Sequence, residues 1–421
     1  MRSQTEFGNE GTTHHSRLTT HDSRLTTHHS PLTTHHSPIV MDEHVLILGA
    51  STRAAAFSAL RAGLRPWCAD LFGDLDLRAR CPVMTIAAGN YPVCFGHIMD
   101  QAPPGPWIYT GALENRPGLV RRLARMRPLW GNDATVLAAV RSPATVEKTL
   151  RTAGLPCPAV SFPGAAVPSE GRWLIKPRSG SGGRGIRFLM NQPSSPDKPS
   201  VYFQQYIEGE PCAAIYVSDG AVTRLLGVTR QLVGESWLHA AGFHYCGSIG
   251  PLSLAPPVRE AFERLGTVLA RECGLLGIFG IDCVLPDGIA WPVEVNPRYT
   301  ASVEVLEYAI GFSALAWQRY VFEHAAQPPF PLSDNCRLVG KAILYAKTPL
   351  FFPADGPWLD ILRLPGPVHH LPAFADIPPV GQQIREGRPI LTFFASGHSI
   401  AACVADLQRT AADLDHWLFG E

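Results

Sequence analysis

A glycine-rich segment between two short apolar stretches constrains this chain more than any other feature. The stretch Trp173–Pro177 contains a lysine, residues 178–185 hold four glycines, and residues 186–189 read as a second strand. Glycines accept unusual backbone angles and let N–H groups approach an anion without interference from side chains. Lys176 can add a positive charge to a phosphate site. The segment predicts a hairpin flap over phosphates, and an ordinary Gly/Ser turn is the alternative.

Two later strands carry acidic residues that can meet on one face. Residues 280–285 and 289–296 read as strands joined by a Pro-Asp-Gly turn. Asp282 and Glu294 are nearly equidistant from that turn, and strand alternation puts Asn296 on the same side as Glu294. Adjacent carboxylates repel each other, and a divalent cation removes that repulsion. Hard oxygen ligands favour Mg²⁺ or Mn²⁺, whereas the alternative is a surface hairpin with incidental acids.

The region after Met41 begins with the pattern of a parallel α/β sheet. Residues 44–48 are apolar, an alanine-rich helical stretch starts at Arg53, and a second apolar stretch ends at Asp70. This strand-helix-strand order is typical of parallel sheets. The turn lacks the spacing G-x-G-x-x-G, so a dinucleotide site is not supported. Residues 51–53 lie where such sheets bind ligands, and a turn that only connects is the alternative.

The composition excludes several broad classes of protein. The 421 residues include 36 Lys+Arg and 36 Asp+Glu, and this balance argues against a strong electrostatic grip on nucleic acid or anionic membranes. No stretch reaches the ~18 apolar residues of a membrane span. The ten cysteines include no C-x-x-C pair, as expected of reduced thiols in the cytoplasm. We therefore expect a cytoplasmic protein with small-molecule partners, no nucleic acid and no membrane.

Residues 1–40 differ from the rest of the chain. They contain a seven-residue unit of the type TTHHSPL, repeated four times and rich in His and Thr. One apolar residue per unit cannot form a coiled-coil seam, and Thr, Ser and Pro oppose a helix. A His-rich tract can bind metal, but a flexible tail fixes no geometry. We predict a disordered tail; translated repeats upstream of the true start give the same pattern, and Met41 is an alternative start.

Three motifs in order resemble the ATP-grasp superfamily of ATP-dependent ligases. Residues 173–189 (WLIKPRSGSGGRGIRFL) are similar to the glycine-rich flap of biotin carboxylase and its relatives. Residues 202–210 (YFQQYIEGE) resemble the segment whose backbone pairs with adenine, and residues 280–298 (GIDCVLPDGIAWPVEVNPR) resemble the metal-binding hairpin. Residues 340–345 and 377–390 are like the small C-terminal β unit of the carboxylase-type members.

This resemblance implies a fold of the α/β and α+β classes. It implies an N-terminal open parallel α/β domain over residues 41–135 and an ATP-grasp domain over residues 136–325. The ATP-grasp domain divides into two α+β subdomains, residues 136–205 with the glycine-rich lid and residues 206–325 with the metal and acceptor sites. A small β-rich unit, residues 326–421, follows.

The resemblance also implies roles for individual residues. Lys176 binds the α- and β-phosphates, and Arg298 stabilises the acyl phosphate or oxyanion; these two are the predicted catalytic residues. Asp282, Glu294 and Asn296 bind Mg²⁺. The predicted nucleotide contacts are the lid residues Ser179, Gly180, Ser181, Gly182, Gly183, Arg184 and Gly185, the adenine segment Gln205, Tyr206 and Ile207, and Glu208 or Glu210 on the ribose.

Two departures from the family pattern leave alternatives open. The superfamily usually has another phosphate-binding lysine at the position that Pro143 occupies here. Either Arg141 or Lys148 must substitute for it. The residue expected on the ribose in several members falls near Pro211.

Residues 230–251 lie between the adenine segment and the metal hairpin and are rich in Gly, His, Trp and Tyr. In this architecture such a segment lines the acceptor site, although each histidine alone is more often structural. The candidates for substrate contacts are Arg230, Gln231, His239, His244 and Tyr245, with Ser302 and Glu304 as weaker ones.

The function implied is an ATP- and Mg²⁺-dependent ligase for a small metabolite or cofactor precursor. It activates a carboxylate as an acyl phosphate, which an amine or similar nucleophile then attacks. One alternative is a bicarbonate-activating enzyme of the carboxylase type, and another is an ATP-binding regulatory module with weakened catalysis. Superfamily members are often dimers, so a homodimer is a further option.

Overall fold

A computed structural model describes residues 44–165, 170–190, 200–329 and 337–420 of the chain. The tail predicted for residues 1–40 lies outside the described residues. None of the described helices is both long enough and apolar enough to span a membrane.

The N-terminal part forms the predicted parallel α/β sheet. Its strands are β1 (His44–Leu48), β2 (Arg65–Asp70), β3 (Val83–Thr85) and β4 (Trp107–Tyr109). They run in the order β3-β2-β1-β4, and every neighbouring pair is parallel. The helices are α1 (Arg53–Arg61), α2 (Leu75–Arg78), α3 (Phe95–Gln101) and α4 (Pro117–Ala124). Residues 45–48 of β1 are fully buried, because helices cover both faces of such a sheet.

The turn after β1 has a structural role. Asp70, at the end of β2, accepts hydrogen bonds from the backbone N and the hydroxyl of Thr52, at 2.7 and 3.0 Å. It also accepts from the backbone N–H groups of Phe72 and Gly73. Thr52 and Arg53 are fully buried. The turn was predicted either to bind a ligand or only to connect β1 and α1. The burial of Thr52 and Arg53 and their contacts with other side chains favour the connecting role for these two residues.

A short helical pair leads into a small antiparallel sheet. The elements are α5 (Ala134–Val140), α6 (Pro143–Thr152), β5 (Val160–Ser161), β6 (Trp173–Pro177), β7 (Arg187–Phe188) and β8 (Val201–Gln205), and the strand order is β5-β8-β6-β7. Asp133 caps the first helix and Ser142 caps the second, which explains where both begin. Strands β6 and β7 pair antiparallel, so the glycine-rich segment is the predicted hairpin.

A large antiparallel sheet of eight strands follows. Its strands are β9 (Glu210–Ser218), β10 (Thr223–Val233), β11 (Tyr245–Gly250), β12 (Gly277–Leu285), β13 (Trp291–Asn296), β14 (Leu338–Tyr345), β16 (Phe374–Ala375) and β18 (Pro389–Gly397). They run in the order β13-β12-β9-β10-β11-β14-β18-β16. Strands β15 (Leu350–Phe351) and β17 (Gln383–Ile384) pair separately. Because β14, β16 and β18 continue the sheet of the central region, the C-terminal segment shares that sheet.

The remaining helices are α7 (Pro256–Cys273), α8 (Ala301–Ile310), α9 (Ala314–Glu323), α10 (Leu359–Arg363) and α11 (Ile400–Phe419). Helices α7, α8, α9 and α11 pack on this large sheet, and α10 contacts α2. The α/β and α+β class predicted from the motifs is confirmed by this mixture of a parallel sheet and antiparallel sheets. The predicted boundaries between domains stay predictions.

Buried ion pairs hold α8 in place. Glu304, which is fully buried, accepts hydrogen bonds from Arg53 Nη2 at 2.9 Å and from Lys341 Nζ at 2.7 Å. Arg53 also donates to Asp376 near the C-terminal strands, at 2.8 Å. Removing one partner from such a network leaves a buried charge uncompensated, which costs about 3–5 kcal/mol. The first turn of α8 is therefore fixed relative to the N-terminal sheet and to β14.

Candidate functional site

A cavity of about 470 Å³ lies between the small sheet and the large one. The strands β6 and β8 and the glycine-rich flap form one side of it. The ends of β12 and β13 and the first turn of α8 form the other. Its lining includes Lys176, Ser181, Gly182, Gly183, Gln205, Tyr206, Ile207, Gln231, Tyr245, Asp282, Glu294, Asn296, Arg298 and Ser302.

The two acidic residues predicted as metal ligands are cross-strand neighbours. Asp282 on β12 pairs directly with Glu294 on β13. Gln231 Nε2 donates to Asp282 Oδ1 at 2.9 Å, and Asn296 Nδ2 donates to Asp282 Oδ2 at 3.0 Å. Burial, together with the charge of Glu294, raises the pKa of Asp282 to about 7. The fold therefore places a carboxylate where its ionised form is disfavoured without a cation.

Glu294 sits in a more positive environment than Asp282. Arg141 Nη1 lies 2.6 Å from Glu294 Oε1. Burial by itself raises the pKa of Glu294, but the charges of Lys176 and Arg141 prevail and hold this pKa below its usual value. Glu294 is thus ionised at neutral pH beside an Asp282 that titrates there.

The donor set fits a hard divalent cation. Asp282 and Glu294 offer carboxylate oxygens, and Asn296 offers an amide oxygen. The described residues contain no cluster of three His, Cys, Asp or Glu arranged as a metal site. The candidate ligands are therefore two carboxylates and one amide. A site with only two charged side chains suits Mg²⁺, because this ion usually keeps waters and phosphate oxygens as further ligands.

Lys176 is buried on β6 with its ammonium directed at the cavity. Its Nζ donates to Gln204 Oε1 at 3.0 Å and to the carbonyl oxygen of Val293 at 3.1 Å. An ammonium has three N–H donors, so one remains for a ligand. Gln204 was not predicted from the sequence. It lies on β8 and orients Lys176 on the neighbouring strand β6, and that pairing of strands is visible only in the structure.

The flap is folded against the segment predicted to line the acceptor site. Tyr245 N donates to the carbonyl oxygen of Gly182 at 3.3 Å. Gly183 has a φ of +75°, and a Cβ there would overlap with the carbonyl group of Phe243. Ser181, Gly182 and Gly183 line the main cavity. Gly180, Ser181, Gly183 and Arg184 line a smaller cavity of about 70 Å³ beside it, and Ser179 and Gly185 line neither.

The adenine segment lines the cavity, but the predicted ribose contacts do not. Gln205, Tyr206 and Ile207 follow one another along the wall. Glu208 and Glu210 are exposed and lie outside the lining. Glu210 Oε1 instead lies 3.3 Å from Arg230 Nε, and neither residue of this ion pair lines the cavity.

The structure separates the two candidates for the missing lysine. Arg141 follows α5 and contacts Glu294, and its Nη2 donates to Asn115 Oδ1 at 2.8 Å. Lys148 is exposed on α6 and lines neither cavity. Arg141 is therefore the basic residue that the fold brings to the site.

The candidates for substrate contacts also divide. Gln231, Tyr245 and Ser302 line the cavity. His244 stacks on Tyr345, with 6.0 Å between ring centroids, and burial together with Arg184 lowers its pKa. Four candidates lie outside the lining of the cavity: Arg230, His239, His244 and Glu304. Of these, His239 contacts Asp415, and Glu304 is buried against Arg53.

Arg298 has a partner that sequence reasoning missed. Its Nε and Nη2 donate to Oε1 of Glu114, at 2.9 and 2.6 Å, and its Nη1 donates to the carbonyl oxygen of Tyr299. Glu114 is only 1% exposed. It follows the carboxyl end of β4, where parallel sheets place ligand-binding residues, so its position in the sequence was an available signal.

Comparison with known proteins agrees with the geometry. Residues 144–302 match a family model described as an ATP-grasp domain. This match lies inside the range predicted from the motifs, and the resemblance to the superfamily is confirmed.

Solved structures show the same fold at low sequence identity. The biotin carboxylase domain of the Hydrogenobacter thermophilus 2-oxoglutarate carboxylase, a dimer with MgADP, ADP and bicarbonate, superposes with a TM-score of 0.66. It is 14% identical, and the match covers 88% of this chain and 89% of that one. L-Amino acid ligase from Bacillus licheniformis has a TM-score of 0.64 and 16% identity, over 88% of this chain and 97% of that one.

N5-carboxyaminoimidazole ribonucleotide synthetase from Thermus thermophilus also matches, with a TM-score of 0.64. It is 12% identical, and the match covers 90% of this chain and 99% of that one. At these identities the likeness describes the fold alone, including the N-terminal sheet and the C-terminal segment outside residues 144–302.

Proposed function

We propose that the ATP-grasp domain carried by this chain makes it an ATP- and Mg²⁺-dependent ligase that activates a carboxylate for attack by an amine. One observation supports this most directly. Lys176, Arg298 and the Asp282–Glu294 pair come from separate elements and line one cavity. Phosphoryl transfer between anions needs charge neutralisation and alignment, and this set of residues supplies both.

The first step joins two anions. A carboxylate oxygen attacks the γ-phosphorus of ATP, the bond to the β-γ bridging oxygen breaks, and ADP leaves. Lys176 would hold phosphate oxygens, and Arg298, fixed by Glu114, would face the incoming carboxylate. A Mg²⁺ ion held by Asp282, Glu294 and Asn296 would supply the neutralisation of phosphate charge.

The second step transfers the acyl group to the amine. The described lining of the cavity contains no histidine. In the proposed step the amine attacks in its neutral form, and the proton that it releases leaves with the phosphate. After Arg298 the lining continues with Thr300, Ala301 and Ser302 at the start of α8, and the two hydroxyl groups there are hydrogen-bond donors. Such a wall suits the carboxylate substrate better than an ammonium group.

Activation of bicarbonate is a second candidate. One structural neighbour favours it, since the carboxylase domain from Hydrogenobacter thermophilus is described as a complex with bicarbonate. A binding module with weakened catalysis is the third option, because the usual lysine is replaced. Arg141 at the site weakens that option, since the positive charge is retained there.

A trapping assay sorts these options. The full chain would be given Mg²⁺-ATP with pooled carboxylates and hydroxylamine, a small amine that converts acyl phosphates into hydroxamates. Hydroxamate with matching ADP release is expected for the ligase. ADP release with bicarbonate alone would favour the second candidate, and tight ATP binding without ADP release in any pool would contradict both enzymes.

A matched pair of variants tests the metal ligand. Glu294→Gln should abolish metal-dependent ADP release and leave the fold intact by circular dichroism. Glu260→Gln, an exposed position on α7, should retain wild-type activity. Full activity in Glu294→Gln would contradict the assignment of Glu294.

A further inference from the structure

Three hydroxyl groups form a continuous chain along the wall of the cavity. Tyr245 Oη lies 2.9 Å from Ser248 Oγ, and Ser248 Oγ lies 2.9 Å from Ser302 Oγ. Tyr245 and Ser302 line the cavity, whereas Ser248 is fully buried. The chain therefore links two points of the wall through the interface between the large sheet and α8.

The fold fixes the middle of this chain. Ser248 lies on β11, directly opposite Gln231 on β10 and Lys341 on β14. Directly paired residues share a face of the sheet, and on that face Lys341 reaches Glu304 of α8. The serine is thus held against the first turn of α8 by the same face that carries the buried ion pairs. Its position depends on the packed sheet rather than on a mobile loop.

The chemistry of the three hydroxyls sets the direction of the chain. Each hydroxyl has one proton to donate and can accept from a neighbour. A phenol is a stronger acid than an aliphatic alcohol, which favours the direction in which Tyr245 donates to Ser248 and Ser248 donates to Ser302. Burial raises the pKa of Tyr245, which keeps its proton in place at neutral pH. The proton of Ser302 is then left for a group in the cavity, and successive hydrogen bonds polarise it.

We propose that the Ser302 hydroxyl donates a hydrogen bond to the acyl oxygen of the activated carboxylate, with Ser248 and Tyr245 as positioning residues. This inference rests on the proposed ligase function. Ser302 lies four residues after Arg298, and both line the cavity. The guanidinium and the hydroxyl would therefore act on the same acyl group.

The hydrogen bond gains strength during transfer. The amine nitrogen forms a bond to the acyl carbon, and the carbonyl electron pair moves to the acyl oxygen. That pair returns as the bond between carbon and the phosphate oxygen breaks, and the proton of the nitrogen leaves with hydrogen phosphate. Negative charge is largest on the acyl oxygen at the tetrahedral stage. The Ser302 donor should thus accelerate transfer more than it strengthens substrate binding.

The test compares single variants in the hydroxylamine assay. Ser302→Ala should slow hydroxamate formation about 100-fold, the loss typical of one oxyanion donor, with a much smaller change in KM for the carboxylate. Ser302→Thr keeps the hydroxyl and should restore most of the rate. Ser253→Ala, at an exposed serine, is the matched control.

The positioning residues are tested by non-additivity. Tyr245→Phe and Ser248→Ala should each slow transfer about 2- to 10-fold, as expected for loss of one neutral hydrogen bond. The double variant should be no slower than Ser248→Ala alone, because the buried serine transmits the effect of the phenol. Additive effects, or a Ser302→Ala variant as fast as wild type, would overturn the proposal and leave the ligase function standing.

A binding measurement separates the two proposals. If no carboxylate yields hydroxamate in the wild type, the ligase function fails. The hydroxyl chain is then tested by titrating acetate into the MgADP complex of each variant and measuring its affinity. Ser302→Ala is expected to bind acetate about 3- to 10-fold more weakly than Ser253→Ala. Equal acetate affinities, or no acetate binding by the wild type, would overturn the chain as well.

Discussion

Gly183 and Phe243 approach each other so closely that no side chain fits between them. A Cβ on residue 183 would overlap with the carbonyl group of Phe243, and Gly183 has a φ of +75°. Gly183 belongs to the flap, and Phe243 belongs to the segment that leads into β11. The folded flap and the segment before β11 are therefore in direct backbone contact, and glycine is the residue that permits it.

The first prediction follows from this contact. Gly183→Ala should prevent the flap from lying on residues 243–245, so the affinity for ATP should fall at least about 10-fold. The cost combines steric overlap with an unfavourable backbone angle. Nucleotide affinity can be measured by calorimetry, with melting temperature as a check on folding.

The neighbouring glycine offers a matched control. Gly182 has a φ of +62°, but a Cβ there would meet no atom within 4 Å. Gly182→Ala carries only the backbone penalty, about 1 kcal/mol. A loss of ATP affinity as large in Gly182→Ala as in Gly183→Ala would show that the contact with Phe243 is unimportant.

The second prediction concerns Arg141, the residue that we propose in place of the usual lysine. Arg141→Ala should weaken ATP binding about 10-fold or more, because the guanidinium contacts both the Glu294 carboxylate and the carbonyl oxygen of Gly180 in the flap. Lys148→Ala should leave it unchanged, since that side chain is exposed and outside both cavities. The reverse order of effects would contradict the assignment of Arg141.

Local sequence patterns predicted the elements that contribute most of the site. The glycine-rich hairpin, the Asp282–Glu294 pairing and the parallel N-terminal sheet each depend on neighbours in sequence or on strand alternation. These features could be predicted because a short stretch of backbone determines them.

The unpredicted features depend on contacts between distant segments. Glu114 meets Arg298 across 184 positions, and Arg53 meets Glu304 across 251. The choice between Arg141 and Lys148 required knowing which face of α6 turns to solvent. Glu208 and Glu210 are exposed and lie outside the lining of the cavity, and the sequence does not indicate that their side chains avoid it. Spacing in one sequence carries no information on such long-range packing.

The third prediction tests the buried ion pairs behind α8. Arg53→Met should destabilise the protein by about 3–5 kcal/mol, because Glu304 and Asp376 lose their counter-charge in the interior. Arg121→Met, at an exposed position of α4, should change stability by less than about 0.5 kcal/mol. Urea unfolding of both variants measures this.

The same network has a defined pH dependence. Burial opposes ionisation of Glu304, but Arg53 and Lys341 prevail and lower its pKa to about 2. A carboxyl with a lowered pKa adds stability above its unfolded value, and this stability is lost as pH falls through the folded value. The difference between wild type and Arg53→Met should therefore be complete at pH 7 and smaller at pH 3, as the pH approaches the folded pKa of Glu304. A difference that does not change between pH 7 and pH 3 would contradict the charge explanation.

The last prediction concerns the cost of keeping Asp282 beside Glu294. Because the pKa of Asp282 is raised to about 7, its ionised form is disfavoured in the folded protein, and metal-free stability should decline as pH rises from about 4 to 7. Asp282→Asn should remove this decline and raise metal-free stability at pH 8 by about 1–2 kcal/mol, while abolishing Mg²⁺-dependent ADP release. In the wild type, Mg²⁺ affinity should fall as pH drops below 7, since the cation competes with the proton for Asp282. Thermal unfolding at pH 5.5 and pH 8, with and without Mg²⁺ and ADP, measures both effects. An Asp282→Asn variant that is less stable than wild type at pH 8 without metal would refute this view of the site.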